Sequence, residues 1–343
     1  MKDWFEKNRP LYEMFSKRIE EIISDIFTNE NIEYHQVASR TKSLESFNKK
    51  LDVKKYKEQS QLTDLSGIRI ITYVQDTIPL VRNLIEQHFE IDEQNSADKS
   101  IELGIDRVGY KSVHYVCSFK EDRLGLPEFE KFRDCKFEIQ IRTILQHSWA
   151  EIEHDRNYKF GGKLKDDLQR RLKLLAGLLE LADNEFNTIS NEIDNYSKEV
   201  EEETAKGNLN ISIDSTSLQS YIDKLFKDSL VIDYIDNIKQ IPEIISELRN
   251  YGLETLNQIE DIIPNDLFEA YEKYGREVTS IGVLRDIMII NDSEKYFKKS
   301  YMNDWVFFES MYAYDVESAF YKHFGIEKSN LEELRVLSNN GML

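Results

Sequence analysis

KFEIQIRT, residues 136–143, alternates without a break: Phe137, Ile139 and Ile141 fall on one side of an extended chain, and Glu138, Gln140 and Arg142 on the other. Such a segment reads as a strand with one buried face and one polar face. Upstream, residues 110–119 (YKSVHYVCSF) repeat the pattern, with Tyr110, Ser112 and His114 sharing a face. Residues 67–74 (GIRIITYV) are β-branched and apolar, as a buried strand is. A merely solvated sheet face would favour Lys, Thr and Glu. Glu, Gln, Arg, Ser, His and Tyr in register predict instead a polar site built on a sheet.

Outward from these strands the period changes to that of helices. Trp4, Leu11, Phe15, Ile19, Ile22 and Ile26 recur at three-, four- and seven-residue spacing and predict a long N-terminal helix. Residues 35–39 form a short strand in this reading, and Ser43 caps a helix through Phe47 and Leu51 to about Tyr56. Residues 77–89 read as a helix, 90–93 as a strand, and 94–108 as a loop of functional length. From Ile144 the chain turns helical through Tyr158, Gly161-Gly162 breaks it, and 163–204 form a long acidic helix or helix pair. The interruption AKGNLN sets a domain boundary, giving domains 1–204 and 209–343. The second opens on a strand, LNISID, and continues as helices. The fold class expected is α/β (α+β), a mixed sheet flanked by helices and followed by a mainly helical C-terminal region.

A chain of 343 residues that is 40% hydrophobic builds real cores. The start MKDWFEKNRP lacks the apolar centre of a signal peptide, and no stretch approaches the ~18 uninterrupted apolar residues of a membrane span. The expectation is a cytoplasmic protein without membrane association. Cys117 and Cys135 are too few for a disulfide framework or a four-thiolate zinc site, and read as reduced thiols. A net charge of −19 opposes non-specific binding to nucleic acid or anionic membrane. The charge is uneven, however: 40–57 is basic and 180–203 acidic. A basic pocket in an acidic protein suits a small anionic ligand better than a long polyanion.

Four clusters carry chemistry. In 40–50 (RTKSLESFNKK) cations are spaced so as to clamp several phosphates of one ligand. In 64–69 (DLSGIR) an acid stands at the mouth of a strand, where a carboxylate can ligate magnesium, ahead of an arginine. In 109–114 (GYKSVH) a glycine precedes an aromatic that can offer its face to a base. The fourth, 137–143 (FEIQIRT), leads into 146–154 (QHSWAEIEH) and Tyr158-Lys159. Within it, Ile144, Trp149 and Ile152 are expected in the core.

These motifs, in this order, resemble the synthetase domain of RelA/SpoT-type alarmone synthetases, and most of all its small, single-domain branch. The resemblance covers residues 36–160 and implies a nucleotidyltransferase-like domain that moves diphosphate from ATP to the 3′-hydroxyl of GTP or GDP, making (p)ppGpp. It implies that Asp64 and Glu138 are catalytic and hold Mg2+, with Glu138 also the base. By the same resemblance Arg40, Lys42, Ser46, Lys50 and Arg69 bind ATP, and Tyr110, His114, Gln140 and Arg142 the acceptor, Tyr110 by stacking on its guanine. No HD-type hydrolase motif precedes these residues, which implies synthesis without hydrolysis.

The family often carries Pro-Lys-x-Asn before Gly-Tyr. This chain has Ile105-Asp106-Arg107-Val108, so Asp106 replaces a lysine that could hold acceptor phosphate. Lys54 and Lys55 stand where the family usually has an arginine pair. Two further readings therefore stay open: a toxic family member that pyrophosphorylates the 3′ end of tRNA, and a non-catalytic nucleotide-sensing or partner-binding protein. The C-terminal region is a candidate for homo-oligomer contacts or a regulatory partner.

Overall fold

The computed structural model describes residues 1–53, 61–98, 113–160, 165–226, 232–233, 241–276, 278–302 and 311–343. The chain divides into two compact units, Met1–Asn191 and Glu192–Leu343.

In chain order the first unit comprises α1 (Lys2–Asn29), β1 (Gln36–Thr41), α2 (Leu44–Val53), β2 (Ser66–Thr72), α3 (Thr77–His88), β3 (Phe89–Ile91), β4 (Ala97–Asp98), β5 (Val113–Phe119), α4 (Glu121–Leu124), β6 (Phe137–Thr143) and α5 (Ile144–Phe160). Helix α6 (Asp166–Lys206) begins in it. The strands form one mixed sheet in the order β1-β2-β6-β5-β3, with β4 also on β5. β2 and β6 run parallel, and the other pairs are antiparallel. The mixed sheet with helices around it is the architecture that the alternation predicts.

One face of the sheet is dry. Ile68 and Ile70 of β2 and Phe137, Ile139 and Ile141 of β6 are fully buried against Phe15, Ile19 and Ile23 of α1 and Val81 and Ile85 of α3. Each such side chain contributes roughly 1.5–3 kcal/mol. The buried stripe of α1 is Phe5, Tyr12, Phe15, Ile19, Ile23 and Phe27. Trp4, Leu11, Ile22 and Ile26, expected at its centre, lie at its partly buried margin. A step of one residue turns a helix by about 100°, so two adjacent apolar rows compete, and the sheet selects the row with more aromatic bulk.

β6 passes directly into α5. Thr143 Oγ1 accepts from the Gln146 N–H and Gln146 Oε1 from the Thr143 N–H, both at 3.2 Å, the reciprocal pattern of a capping box. On α5, Trp149 is buried as expected, but Ile144 is half-buried and Ile152 is 51% exposed, which corrects the core assignment for Ile152. Asp183 of α6 accepts from both Gln75 and Gln146, at 3.1 and 3.0 Å, and ties that helix to the ends of the sheet. Burial pushes the Cys117 thiol far up and Cys135 up to about 11, so both are inert thiols.

The second unit is mainly helical: α7 (Ser215–Phe226), α8 (Ile241–Tyr251), α9 (Leu256–Glu260), α10 (Leu267–Tyr274), α11 (Ser280–Asn291), α12 (Ser293–Lys299), α13 (Met311–His323) and α14 (Lys328–Asn339). A parallel pair, β7 (Ile232–Asp233) and β8 (Val278–Thr279), joins them. The strand expected over LNISID is reduced to one bridge, Ser212 to Thr255, because the backbone of Leu209 and Ile211 instead accepts from the N–H groups that open α9. Within this unit Arg276 is 6% exposed and pairs with Asp286 and Glu317, while Tyr271 and Tyr321 donate to Asp286. Among the described residues no helix is long and apolar enough to cross a membrane.

Candidate active site

The polar face of the sheet collects the residues that the motifs single out. β1 is longer than the sequence suggests and takes in Arg40, so Arg40 stands on a strand rather than in a charged loop. Ser43 then starts α2, its Oγ accepting from the Ser46 N–H at 3.1 Å. This turn brings Lys42, Ser46 and Lys50 to the edge of the sheet next to Asp64. Cross-strand register sets the rest: Arg40 is opposite Gly67, Gly67 opposite Glu138, Arg69 opposite Gln140, and Gln140 opposite His114.

Between them lies a cleft of about 380 Å³ lined by Arg40, Lys42, Ser46, Asp64, Glu138 and Gln140, with Gly67 and Arg69 on β2. Lys42 Nζ and Lys50 Nζ both donate to Asp64 Oδ2, each at 2.5 Å. Burial raises the Asp64 carboxyl, but the two ammonium groups outweigh it and hold the group below the usual carboxylate range. Glu138 is built alike. Its Oε1 meets His114 Nδ1 at 2.7 Å and accepts from Gln140 Nε2 at 3.2 Å. Burial and the nearby Asp64 charge raise this carboxyl, and the His114 and Gln140 contacts bring it below its ordinary value. Both carboxylates are therefore ionised at neutral pH.

Asp64 Oδ1 is buried and has no hydrogen-bond partner among the described residues. A free, hard oxygen beside a second carboxylate fits magnesium, which takes one or two carboxylates and fills its octahedron with phosphate oxygens and water. Among the described residues no group of three or more His, Cys, Asp or Glu is disposed around a common metal position.

At the far end of the face three arginines converge. Arg142 Nη2 donates to Gln140 Oε1 at 2.8 Å, and Arg69 Nη1 lies 3.0 Å from Glu151 Oε1 of α5. Burial, and behind it the Arg69 and Arg40 charges, push Arg142 down to about 10, so it stays cationic at neutral pH. His147 of α5 faces the same group. Burial lowers it, with Arg69 and Arg142 acting against Glu151, so the ring is neutral at pH 7. Sequence reasoning assigned no role to Glu151 or His147, although both stand in QHSWAEIEH at helical spacing on the side that returns to the sheet. Tyr110, with Asp106 and Arg107, lies outside the described residues.

With this geometry in view, residues 39–163 match the family described as a region found in RelA / SpoT proteins. The likeness to RelA/SpoT proteins lies in that segment. GTP pyrophosphokinase YjbM of Bacillus subtilis is 27% identical over 136 residues, which cover 40% of this chain and 61% of that protein. GTP pyrophosphokinase YwaC of the same organism is 29% identical over 161 residues, 46% of this chain and 73% of that one. Among solved structures, small alarmone synthetase 1 from Bacillus subtilis overlaps with a TM-score of 0.48 at 23% identity, covering 57% of this chain and 100% of that chain. The matched segment thus holds the second half of β1, all of β2, β5, β6 and α5, and every residue that lines the cleft.

Proposed function

We propose that this chain is a magnesium-dependent pyrophosphokinase that moves diphosphate from ATP to the 3′-hydroxyl of GTP or GDP, making (p)ppGpp. One observation carries the reading: a lysine-crowded carboxylate, Asp64, and a histidine-held carboxylate, Glu138, open onto the same cleft, which cations line on its other side. The relatives named GTP pyrophosphokinase support the reaction class.

In this reading Arg40, Lys42, Ser46 and Lys50 bind the donor ATP, and Arg69 lies beside the adenine or its phosphates. Lys42 and Lys50 neutralise Asp64 in the resting site and turn to phosphate oxygens when the triphosphate enters. Magnesium, held by Asp64 and Glu138, supplies charge neutralisation along the polyphosphate. Glu138, ionised at neutral pH, accepts the proton of the 3′-hydroxyl as its oxygen attacks the β-phosphorus. The bond between the α,β-bridging oxygen and the β-phosphorus breaks, AMP leaves with that oxygen, and the β,γ-diphosphate stays on the acceptor. Charge builds on phosphate oxygens throughout, so positioning and neutralisation do most of the catalysis. His114 holds the base in place, and Tyr110, Gln140 and Arg142 complete the acceptor pocket.

The test supplies the purified chain with ATP labelled in its β-phosphate and magnesium, and offers GTP, GDP or bulk tRNA in separate reactions. Label on GTP or GDP with one AMP per transfer supports the proposal. Label on tRNA alone replaces the acceptor, and no transfer in any reaction overturns the enzyme.

A further inference from the structure

We infer that Gly67 is a positioning residue of the donor site: its missing side chain lets Arg40 lie down across β2 and leaves the floor of the slot that separates Arg40 from Glu138. This rests on the reading of the cleft as the site of ATP. Gly67 is in the middle of a sheet, where glycine weakens a strand, and its φ is not among the positive ones. The backbone therefore does not require it. What the position lacks is room. A Cβ there would stand 3.3 Å from Arg40 Nε, tighter than ordinary contact, and 3.4 Å from Arg40 Cγ, in contact with it. The obstructing atoms belong to the arginine side chain itself.

Register explains why this matters. Arg40, Gly67 and Glu138 are directly opposite one another on three neighbouring strands. At about 4.8 Å per strand the outer two are roughly 10 Å apart, and the middle position is bare. An elongated anion that runs from a guanidinium to a carboxylate-held cation crosses the sheet at that bare position, and Gly67 lines the cleft there. A methyl group would lift Arg40 and raise the floor together.

The test is Gly67→Ala in the full chain, with ATP and magnesium binding measured by calorimetry without acceptor, alongside GDP binding and the melting temperature. Loss of one charge-assisted contact predicts ATP affinity weaker by about tenfold, with GDP affinity and melting temperature unchanged. Arg40→Ala should give a similar loss, and the double variant should lose little more than either single one, because both remove the same contact. Wild-type ATP affinity in Gly67→Ala, or additive losses, overturns the inference alone. Failure of the wild-type chain to bind ATP overturns the donor reading and the inference with it. Should Gly67→Ala not fold, the variant with Arg40→Ala added decides: folding there locates the clash on Arg40 and supports the inference, and continued misfolding overturns it.

Discussion

Two ionic clusters in this chain look alike in composition and differ in exposure. In the second unit Arg276, 6% exposed, meets Asp286 through two nitrogens and Glu317 through a third, Asp286 accepts from two tyrosines, and Lys328 lies 2.6 Å from Glu317. Each carboxylate there meets a cation, Glu317 Oε2 through its ion pair with Lys328 although it has no hydrogen-bond partner among the described residues. In the cleft of the first unit two lysines crowd one oxygen of Asp64 while its other oxygen has no hydrogen-bond partner among the described residues, and the side chains are 17 to 24% exposed. A network of paired charges shut away from solvent serves the fold. A lopsided one at the mouth of a cleft, with cations that can let go, is suited to exchanging partners. Charge alone does not separate the two cases; exposure to a cleft does.

The strongest way to break this comparison is to remove one partner from each cluster. Arg276→Ala leaves Asp286 short of its counter-charge in a dry core and should cost the second unit about 3–5 kcal/mol in denaturant unfolding. Lys42→Ala leaves Asp64 paired with Lys50 in a partly open site and should cost about 1 kcal/mol or less. Equal losses would erase the distinction. Function should respond the other way round. Glu138→Gln keeps size and hydrogen-bonding shape, so the fold should survive while diphosphate transfer falls by at least ~10²-fold; Asp64→Asn should follow it, and EDTA should abolish wild-type transfer. Normal turnover in Glu138→Gln rejects its assignment as base.

A smaller effect is expected at Tyr110. Stacking on a base is worth about 1–3 kcal/mol, so Tyr110→Ala should weaken acceptor binding about ten- to a hundredfold with ATP affinity nearly unchanged, and Tyr110→Phe should keep most activity. Joint loss of both affinities and of melting temperature would mean that the ring fills the core. The smallest effect is on acid stability. Asp64 and Glu138 sit below their ordinary values, so the unfolded chain binds more protons than the folded one, and their contribution is complete above the ordinary carboxylate range of about 4. It is lost as pH falls through the lower folded values. Urea melts on acidification should therefore show a shallower loss for Asp64→Asn than for wild type; an identical slope would mean that the lysine pairing is not carried into solution.

A cut after residue 204 sharpens the comparison at the level of whole units. We propose that the fragment folds cooperatively, since the sheet and its helices close their own core within the first unit. Aggregation of the fragment would show that the helical region completes that core.

The sequence by itself determined the sheet and its polarity. Strict alternation in 137–143 has one physical solution, a half-buried strand, and the ordered motifs from Arg40 to Arg142 mark the polar residues that line its wet face. Capping chemistry was also local: Ser43 starts α2 where its hydroxyl predicts, and the structure shows Thr143 with Gln146 doing the same for α5. Tertiary structure decided whatever depends on residues far apart in the chain. Which of two adjacent apolar rows of α1 is buried depends on the sheet it meets, and Ile152 is exposed because its face of α5 turns away from that sheet. That Lys42 and Lys50 share one oxygen of Asp64, that His114 holds Glu138, and that Arg40 rests on Gly67 follow from pairing between strands whose partners lie 20 to 71 residues apart in the chain. Sequence spacing carries no information on that register until the apolar face is packed, because a slip of one residue would send every one of these side chains to the other side of the sheet.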